Sequence, residues 1–292
     1  MTETIIAYPL RPDFVRQLAA RRETRSVERL TAHYAIEARL ANTLASAGAA
    51  ERSVLYGTLY RELFASVPDH PQHWGNRAKR QEQIAQQAAS LLRELEPQAT
   101  YVEIGCGDAA LTKAVALGVA FAIGVDVTED LVMPDAPRSF RFIKSDGVTL
   151  SIQDASADLV FSNQLMEHLH VDDALAQLRE IVRVLKPGGR YICCTPNRLT
   201  GPHDISIYFT EQPTGFHLCE YDHRSLSRLF RKVGFSRVRA RLTLKGREIH
   251  TPVFLTGAAE WLIEHMPSRI RSALISQGPI SNILGLTLVG VR

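Results

Sequence analysis

Apolar residues recur every three or four positions through the first hundred residues, and after Thr100 the pattern changes to short apolar runs separated by helical stretches. Before the change, Leu55, Tyr56, Leu59, Tyr60, Leu63 and Phe64 form one helical stripe, which Val67-Pro68-Asp69-His70-Pro71 stops. An Ala- and Arg-rich helix is predicted over about 27–44. A further one from about Asn76 carries Ile84, Ala88, Leu91, Leu92 and Leu95 and ends before Pro97. Candidate strands follow at 101–104, 121–125, 140–144, 159–162 and 190–194, with a helix marked by Leu175, Leu178, Val182 and Leu185 and stopped by Lys186-Pro187-Gly188-Gly189. A helix with Leu226, Leu229, Phe230 and Val233 ends at Gly234, a strand is predicted over 236–242, and a last strand over 284–291 closes the chain.

Strands alternating with helices predict an α/β domain over 98–292, preceded by a helical region over 1–97 that either caps the ligand pocket or pads the core. An insertion of about 246–282 interrupts the domain before its last strand. Its segment 258–275 is amphipathic and broken at Pro267. Trp261, Leu262 and Ile263 with Arg269 and Arg271 suit a membrane surface or lipid acceptor, or packing on the sheet or on another subunit.

Composition narrows the class only a little. The 34 basic and 31 acidic side chains leave +3, which gives no charge argument for a nucleic-acid partner. The run from Arg21 to Arg29 interleaves acids with its arginines, as a solvated helix face does. The longest apolar run, 114–125, is too short to span a membrane and no signal-peptide pattern opens the chain. Cys106, Cys193, Cys194 and Cys219 lack metal-type spacing, and neighbours in a strand point to opposite faces, so free thiols and a cytoplasmic location are expected.

The candidate chemistry begins at Glu103-Ile104-Gly105-Cys106-Gly107. Gly105 can adopt angles closed to other residues and Gly107 lets the main chain approach a ligand. Asp126 follows Gly105 by 21 positions, where an acid can hold both hydroxyls of a ribose. A dinucleotide pyrophosphate gains nothing from the carboxylate of Glu103, whereas a cationic ligand does.

These segments resemble the class I S-adenosylmethionine (SAM) methyltransferases over about 100–242 and the final strand. Glu103 to Gly107 matches the first motif and Gly124-Val125-Asp126 the ribose acid. Ser145-Asp146-Gly147 stands where the family places an acid against the adenine amine. Asp158 to Asn163 matches the fourth strand, and Leu185 to Arg190 the turn before the fifth. The resemblance implies a Rossmann-like, seven-stranded, mostly parallel sheet with an antiparallel last strand. It also implies a SAM site using Glu103, Gly105, Gly107, Asp126, Asp146, Gly147 and Asn163.

After the fourth strand comes Gln164-Leu165-Met166-Glu167-His168, and further on His203-Asp204 and His217-Leu218-Cys219-Glu220. This is similar to O-methyltransferases of ubiquinone biosynthesis and of small-RNA ends, in which a Glu-x-x-Glu-His segment and a downstream histidine hold a divalent cation. Gln164 replaces the first Glu, so one anionic ligand is lost. Glu167, His168 and His217 are the catalytic and metal candidates, with His217 as base or ligand. His203 and His223 are weaker candidates, and His70, His73 and His170 have no evident partner. Alternatively, Glu167-His168 simply anchors the next helix. The expected activity is methyl transfer to oxygen of a polar small-molecule or glycan acceptor, by a chain without a membrane span that acts alone or as a homo-oligomer. The alternatives are an N-methyltransferase, an RNA-end 2′-O-methyltransferase, an NAD-type oxidoreductase, or a non-catalytic SAM-binding protein.

Overall fold

The computed structural model describes residues 8–70, 77–132, 134–244, 247–275 and 284–292. His73, the helix start near Asn76 and the part of the insertion from 276 to 282 lie outside them.

Four helices come first: α1 (Phe14–Arg21), α2 (Val27–Ser46), α3 (Ala49–Ser66) and α4 (Arg77–Leu92). The alternating part then runs β1 (Thr100–Ile104), α5 (Ala110–Ala116), β2 (Phe121–Asp126), β3 (Phe140–Lys144), β4 (Ala157–Asn163), α6 (Val171–Val184) and β5 (Leu185–Thr195). It continues with α7 (His223–Lys232), β6 (Arg237–Leu244), β7 (Arg247–Pro252), α8 (Val253–Glu264), α9 (Ser268–Ile275) and β8 (Leu286–Val291).

The strand order is β3-β2-β1-β4-β5-β8-β6-β7. The first five strands are parallel, and β8 is antiparallel to both β5 and β6. The expected mixed sheet with an antiparallel last strand is present, with one strand more than expected. The insertion opens not with a helix but with β7, paired antiparallel to β6. Its residues Arg247, Glu248, Ile249 and His250 are exposed on an edge, so no apolar alternation marks them in the sequence.

Successive strand residues feed two layers. Val102, Ile104, Val125, Val160 and Cys193 pack with Leu40, Leu44, Tyr56, Leu59 and Leu63 of α2 and α3 on one side. Tyr101, Ala122, Leu159, Phe161 and Ile192 pack with Ala88 and Leu91 of α4 and with α5 on the other. The N-terminal helices therefore share the core of the sheet. A third cluster sets Phe14, Leu30 and Tyr34 against Ile205, Ile207, Tyr208 and Phe209, so α1 and α2 grip the segment that follows β5.

A buried ion pair fixes α3 to α6. Arg52 donates to both oxygens of Asp173 (2.6 and 2.8 Å), and the Tyr56 hydroxyl donates to Asp173 at 2.8 Å while accepting the His170 amide at 3.0 Å. The Lys186 to Gly189 turn lies inside β5, where the register against β4 jumps from Ala157↔Leu185 to Leu159↔Arg190. The four cysteines are free; Cys193 and Cys194 join opposite layers, as their alternation implies. Among the described residues no helix is long and apolar enough to cross a membrane.

Candidate active site

In the strand order, β2 lies to one side of β1 and β4 to the other, so the chain reverses direction there and leaves a crevice beyond the strands' carboxyl ends. A cleft of about 740 Å³ occupies it, a volume suited to a small molecule. Its sheet-side wall includes Glu103, Gly105, Gly107, Asp126, Gly147 and Asn163. Its opposite wall comes from α3 and α4, through Tyr60 and Phe64 and through Arg80, Gln83, Ile84 and Gln87.

The glycine turn has the backbone its sequence demands. Gly105 and Gly107 have φ of 71° and 55°. A Cβ on Gly107 would meet nothing within 4 Å, so the main chain there is open to a ligand. The Gly107 amide donates to Asp126 Oδ2 at 2.8 Å, and the Val127 and Thr128 amides donate to Oδ1 at 2.7 and 3.3 Å. The carboxylate that ends β2 is thus locked against the turn that follows β1.

Glu103 is buried at the base of the cleft and accepts the Thr112 hydroxyl at 2.5 Å. Burial pushes its carboxyl up to about 8, and the charges of Asp108 and Asp126 add to the rise. Asp126 is raised by burial against the pull of its three amides. Two carboxyls face the cleft with no buried cation beside them among the described residues, and Arg80, half-exposed, pairs with Asp108 at 2.7 Å. This site favours a positively charged ligand.

Asp146 stands apart from the other expected cofactor residues. Its Oδ1 accepts the amides of Val148 and Thr149 (2.8 and 2.6 Å) and its Oδ2 the Thr149 hydroxyl (3.0 Å), while Ser145 and Gly147 line the cleft. It holds its own turn. Gln164 lines the cleft in a left-handed conformation (φ 56°), uncommon for a residue with a side chain.

Beside the cleft the structure brings together Glu167, His168 and His217, whose ligand atoms all lie within 4.8 Å of one another. His168 alone of the three lines the cleft. Its Nδ1 lies 2.9 Å from the Phe216 carbonyl, so the neutral ring donates there and keeps a lone pair on Nε2. Burial drives His168 down to about 3, leaving it uncharged. The ring of His217 stands edge-on to it at 4.7 Å. His217 Nδ1 lies 2.8 Å from Glu220 Oε1, which also accepts the His203 amide at 2.7 Å. Burial disfavours the His217 imidazolium, but Glu220, Asp204 and Glu167 outweigh it and the net shift is upward.

Glu167 is fully buried. Its Oε2 accepts the Thr195 hydroxyl at 2.8 Å and its Oε1 has no partner among the described residues. Burial lifts it to about 7. Its carbonyl accepts the amides of Leu218 and Cys219 (2.7 and 3.1 Å), so the residue also ties the histidine loop to the end of β4.

The other histidines are placed elsewhere. His203 Nε2 bonds Thr200 Oγ1 and the Asn197 carbonyl, and burial lowers its basicity. His223 is buried against Glu260 at 2.6 Å, and His170 caps α6. His70 joins His33 around Glu37 in a second cluster of donors. There Arg25 donates to His33 Nδ1 at 3.0 Å, so His33 Nε2 carries the proton it gives to Glu37 at 2.6 Å. That ring has no lone pair left for an ion.

Glu37 is the residue sequence reasoning missed most completely. Its Oε2 accepts the Phe216 amide at 2.9 Å, beside His217, from a helix in the N-terminal region. Nothing local marks it. The α4 wall did leave a signal: Arg80, Gln83, Ile84 and Gln87 are spaced along one helical face that is too polar for a core.

Residues 102–193 match a family model described as a methyltransferase domain. A malonyl-[acyl-carrier protein] O-methyltransferase of Hahella chejuensis is 34% identical over 121 residues, 39% of this chain and 42% of that protein. A ubiquinone biosynthesis O-methyltransferase of Methylococcus capsulatus is 30% identical over 130 residues, 40% of this chain and 53% of the other. This chain therefore spans about half the length of the curated relatives it matches. A chain from the complex between the Haloferax volcanii Trm112 methyltransferase activator and a methyltransferase has the same fold, with 21% identity, a TM-score of 0.51, and 74% of this chain and 92% of that one covered. The segment 102–193 is thus similar to the methyltransferase domain that these relatives carry, and the sheet around it has the fold of SAM-dependent methyltransferases.

Proposed function

We propose that the protein transfers a methyl group from SAM to an oxygen of a polar small-molecule or glycan acceptor. The observation that carries the reading is Glu103, a buried carboxyl at the floor of a cleft of about 740 Å³, next to a glycine turn and an amide-bound Asp126. A sulfonium draws such a carboxyl into its ionised form and is held by it, whereas a phosphate gains nothing there. Bound in this cleft, SAM supplies a methyl group already activated for displacement by an acceptor oxygen.

The remaining work falls to the chain. Glu103 complements the positive charge, the Gly105 and Gly107 backbone holds the amino acid portion, and Asp126 holds the ribose, with Asn163 and Gly147 completing the wall. Asp146 contributes by shaping the turn that presents Gly147. An aliphatic hydroxyl is about as weak an acid as water, near ~15.7, so its proton must leave as the new bond forms. His168 at the cleft wall orients the acceptor oxygen through Nε2. His217, its Nδ1 proton held by Glu220, has the raised basicity of a proton acceptor, and Glu167 stabilises the resulting imidazolium.

The same three residues fit a divalent cation, and Glu167 Oε1, buried without a partner, favours this second reading. In both rings the Nδ1 contact leaves Nε2 as the ligand atom, the arrangement that orients metal-bound imidazoles. A cation there would supply Lewis acidity to an acceptor oxygen.

Incubation of the protein with cell extract and labelled SAM, followed by mass spectrometry, tests transfer and locates the methylated atom. A chelator arm separates the two readings: activity lost with the chelator and restored by a divalent ion assigns the cation, and unchanged activity removes it. Asp126→Ala should weaken SAM binding at least tenfold; unchanged affinity by calorimetry takes Asp126 out of the site. A labelled product on nitrogen would overturn the oxygen assignment.

A further inference from the structure

On α8 the usual polarity of a surface helix is partly reversed. Its buried face carries Thr256, Gly257 and Glu260 beside Val253 and Ile263, while Phe254 (70% exposed), Leu255 (52%), Trp261 (49%) and Leu262 (55%) face outward. Of the aromatic and aliphatic trio anticipated in this segment, Ile263 is the one turned inward. The reversal has a cause. Glu260 accepts from Asn197 Nδ2 and meets His223 Nδ1, both at 2.6 Å, and so clamps α8 to the segment after β5 and to the start of α7. Arg198 reinforces the clamp by pairing with Asp222 and Glu264. The polar residues are needed inside, and the apolar ones are left outside.

Next to this ridge, α7 presents Arg224, Arg228 and Arg231, spaced as one helical face and all exposed. None of the three guanidinium groups has an ion pair or side-chain hydrogen bond among the described residues. Between the two helices lies a cleft of about 640 Å³ with these arginines on one side, Phe254 and Trp261 on the other, and no acid among the described residues of its lining. The stem of Arg224 lies across Gly257, which brings the cationic face close against α8.

We propose that this face is a docking surface for an anionic phospholipid membrane. Solvation alone would accommodate the arginines but not the outward aromatic and aliphatic side chains. A bilayer surface accommodates both, with phosphates against α7 and the ridge of α8 in the headgroup and acyl boundary. A second copy of the chain offers this face no counter-charge, because the described lining holds arginines and no acid. The clamp through Glu260 and Arg198 joins the docking helix to the segment that leads to His203 and His217, so a surface-bound acceptor would be presented to that side of the active site.

The test is flotation of the full chain with vesicles of phosphatidylglycerol and phosphatidylcholine in equal parts, beside vesicles of phosphatidylcholine alone. The chain should float with the anionic vesicles only and be released by high salt. Phe254→Ser/Trp261→Ser and, separately, Arg228→Gln/Arg231→Gln should each weaken partitioning roughly tenfold or more, while SAM affinity and thermal melting stay as in the parent. Quenching of tryptophan emission by brominated lipid should vanish in Trp261→Phe. The proposal is overturned if the parent chain stays at the bottom of the gradient, or if both double variants float as it does. Sedimentation that shows a dimer, dissociated by Trp261→Ser and indifferent to vesicles, would reassign the face to self-association. Methyl transfer is not the readout, so failure here leaves the proposed activity standing.

Discussion

The carboxylate of Glu37 accepts the amide of Phe216 at 2.9 Å, and the carbonyl of the same Phe216 meets His168 Nδ1 at the same distance. One residue, through its two flanking peptide groups, thus connects the N-terminal helix α2 to the imidazole at the cleft wall. Glu37 is itself held by His33 and His70, whose bonds outweigh burial and keep its carboxyl far below the usual range. Glu37→Ala leaves the Phe216 amide and the His33 proton buried and unpaired. It should cost about 2 kcal/mol of stability by chemical denaturation and lower kcat on the order of tenfold or more with SAM affinity retained. A parent-like kcat would show that the histidine loop holds its place without α2.

Glu103 predicts a proton linkage to cofactor binding. Its carboxyl, raised to about 8, holds a proton at neutral pH in the free protein. A cation in the cleft favours the ionised form, so binding releases that proton and affinity rises with pH until about 8, then levels. Below that point the slope approaches ~tenfold per pH unit. Calorimetry in two buffers of different ionisation enthalpy measures the release. Glu103→Gln should bind SAM more weakly and lose the slope; an identical slope in the variant would place the titrating group elsewhere.

The pair Glu167 and His217 should set the acid limb of kcat. Glu167 is raised to about 7 and His217 lies above its ordinary value, so a shared proton leaves the pair at or above neutral pH. Because the proton acceptor must be free, activity falls as pH drops through this region. Glu167→Gln removes one charge that favours the imidazolium and should move the limb to lower pH. A limb that stays in place would sever Glu167 from the proton transfer.

Asp173 predicts stability rather than activity. Substitution to Asn leaves the Arg52 guanidinium buried without its counter-charge and should destabilise the fold by about 3 kcal/mol. Thermal or urea unfolding checks this, and a shift within error would mean that water reaches Arg52.

The readable parts of the sequence were those whose cause is local. β1, β2 and β4 extend only one or two residues past their predicted ends, because buried parallel strands need apolar runs, while β3 at the sheet's edge was legible from the spacing of Phe140, Phe142 and Ile143. Glu103, Gly105, Gly107 and Asp126 were legible for the same reason, since turn and strand ends sit close together in the chain. The histidine cluster was only half legible. The neighbours Glu167 and His168 stood out, but the bonds that fix both imidazoles come from Phe216 and Glu220, far along the chain. Tyr60 and Phe64 were visible as an apolar stripe, yet nothing in the stripe separates a core residue from a cleft wall. Asp146 shows the converse: a residue type in the family's position, with its oxygens occupied by its own turn.

The cleft takes its floor from the sheet and its roof from α3 and α4, which precede the matched methyltransferase segment in the chain. We propose that these helices select the acceptor while the matched segment holds the methyl donor, although both share one core. A chimera that exchanges only the leading helices with those of a relative should keep its methyl donor and change its clientele.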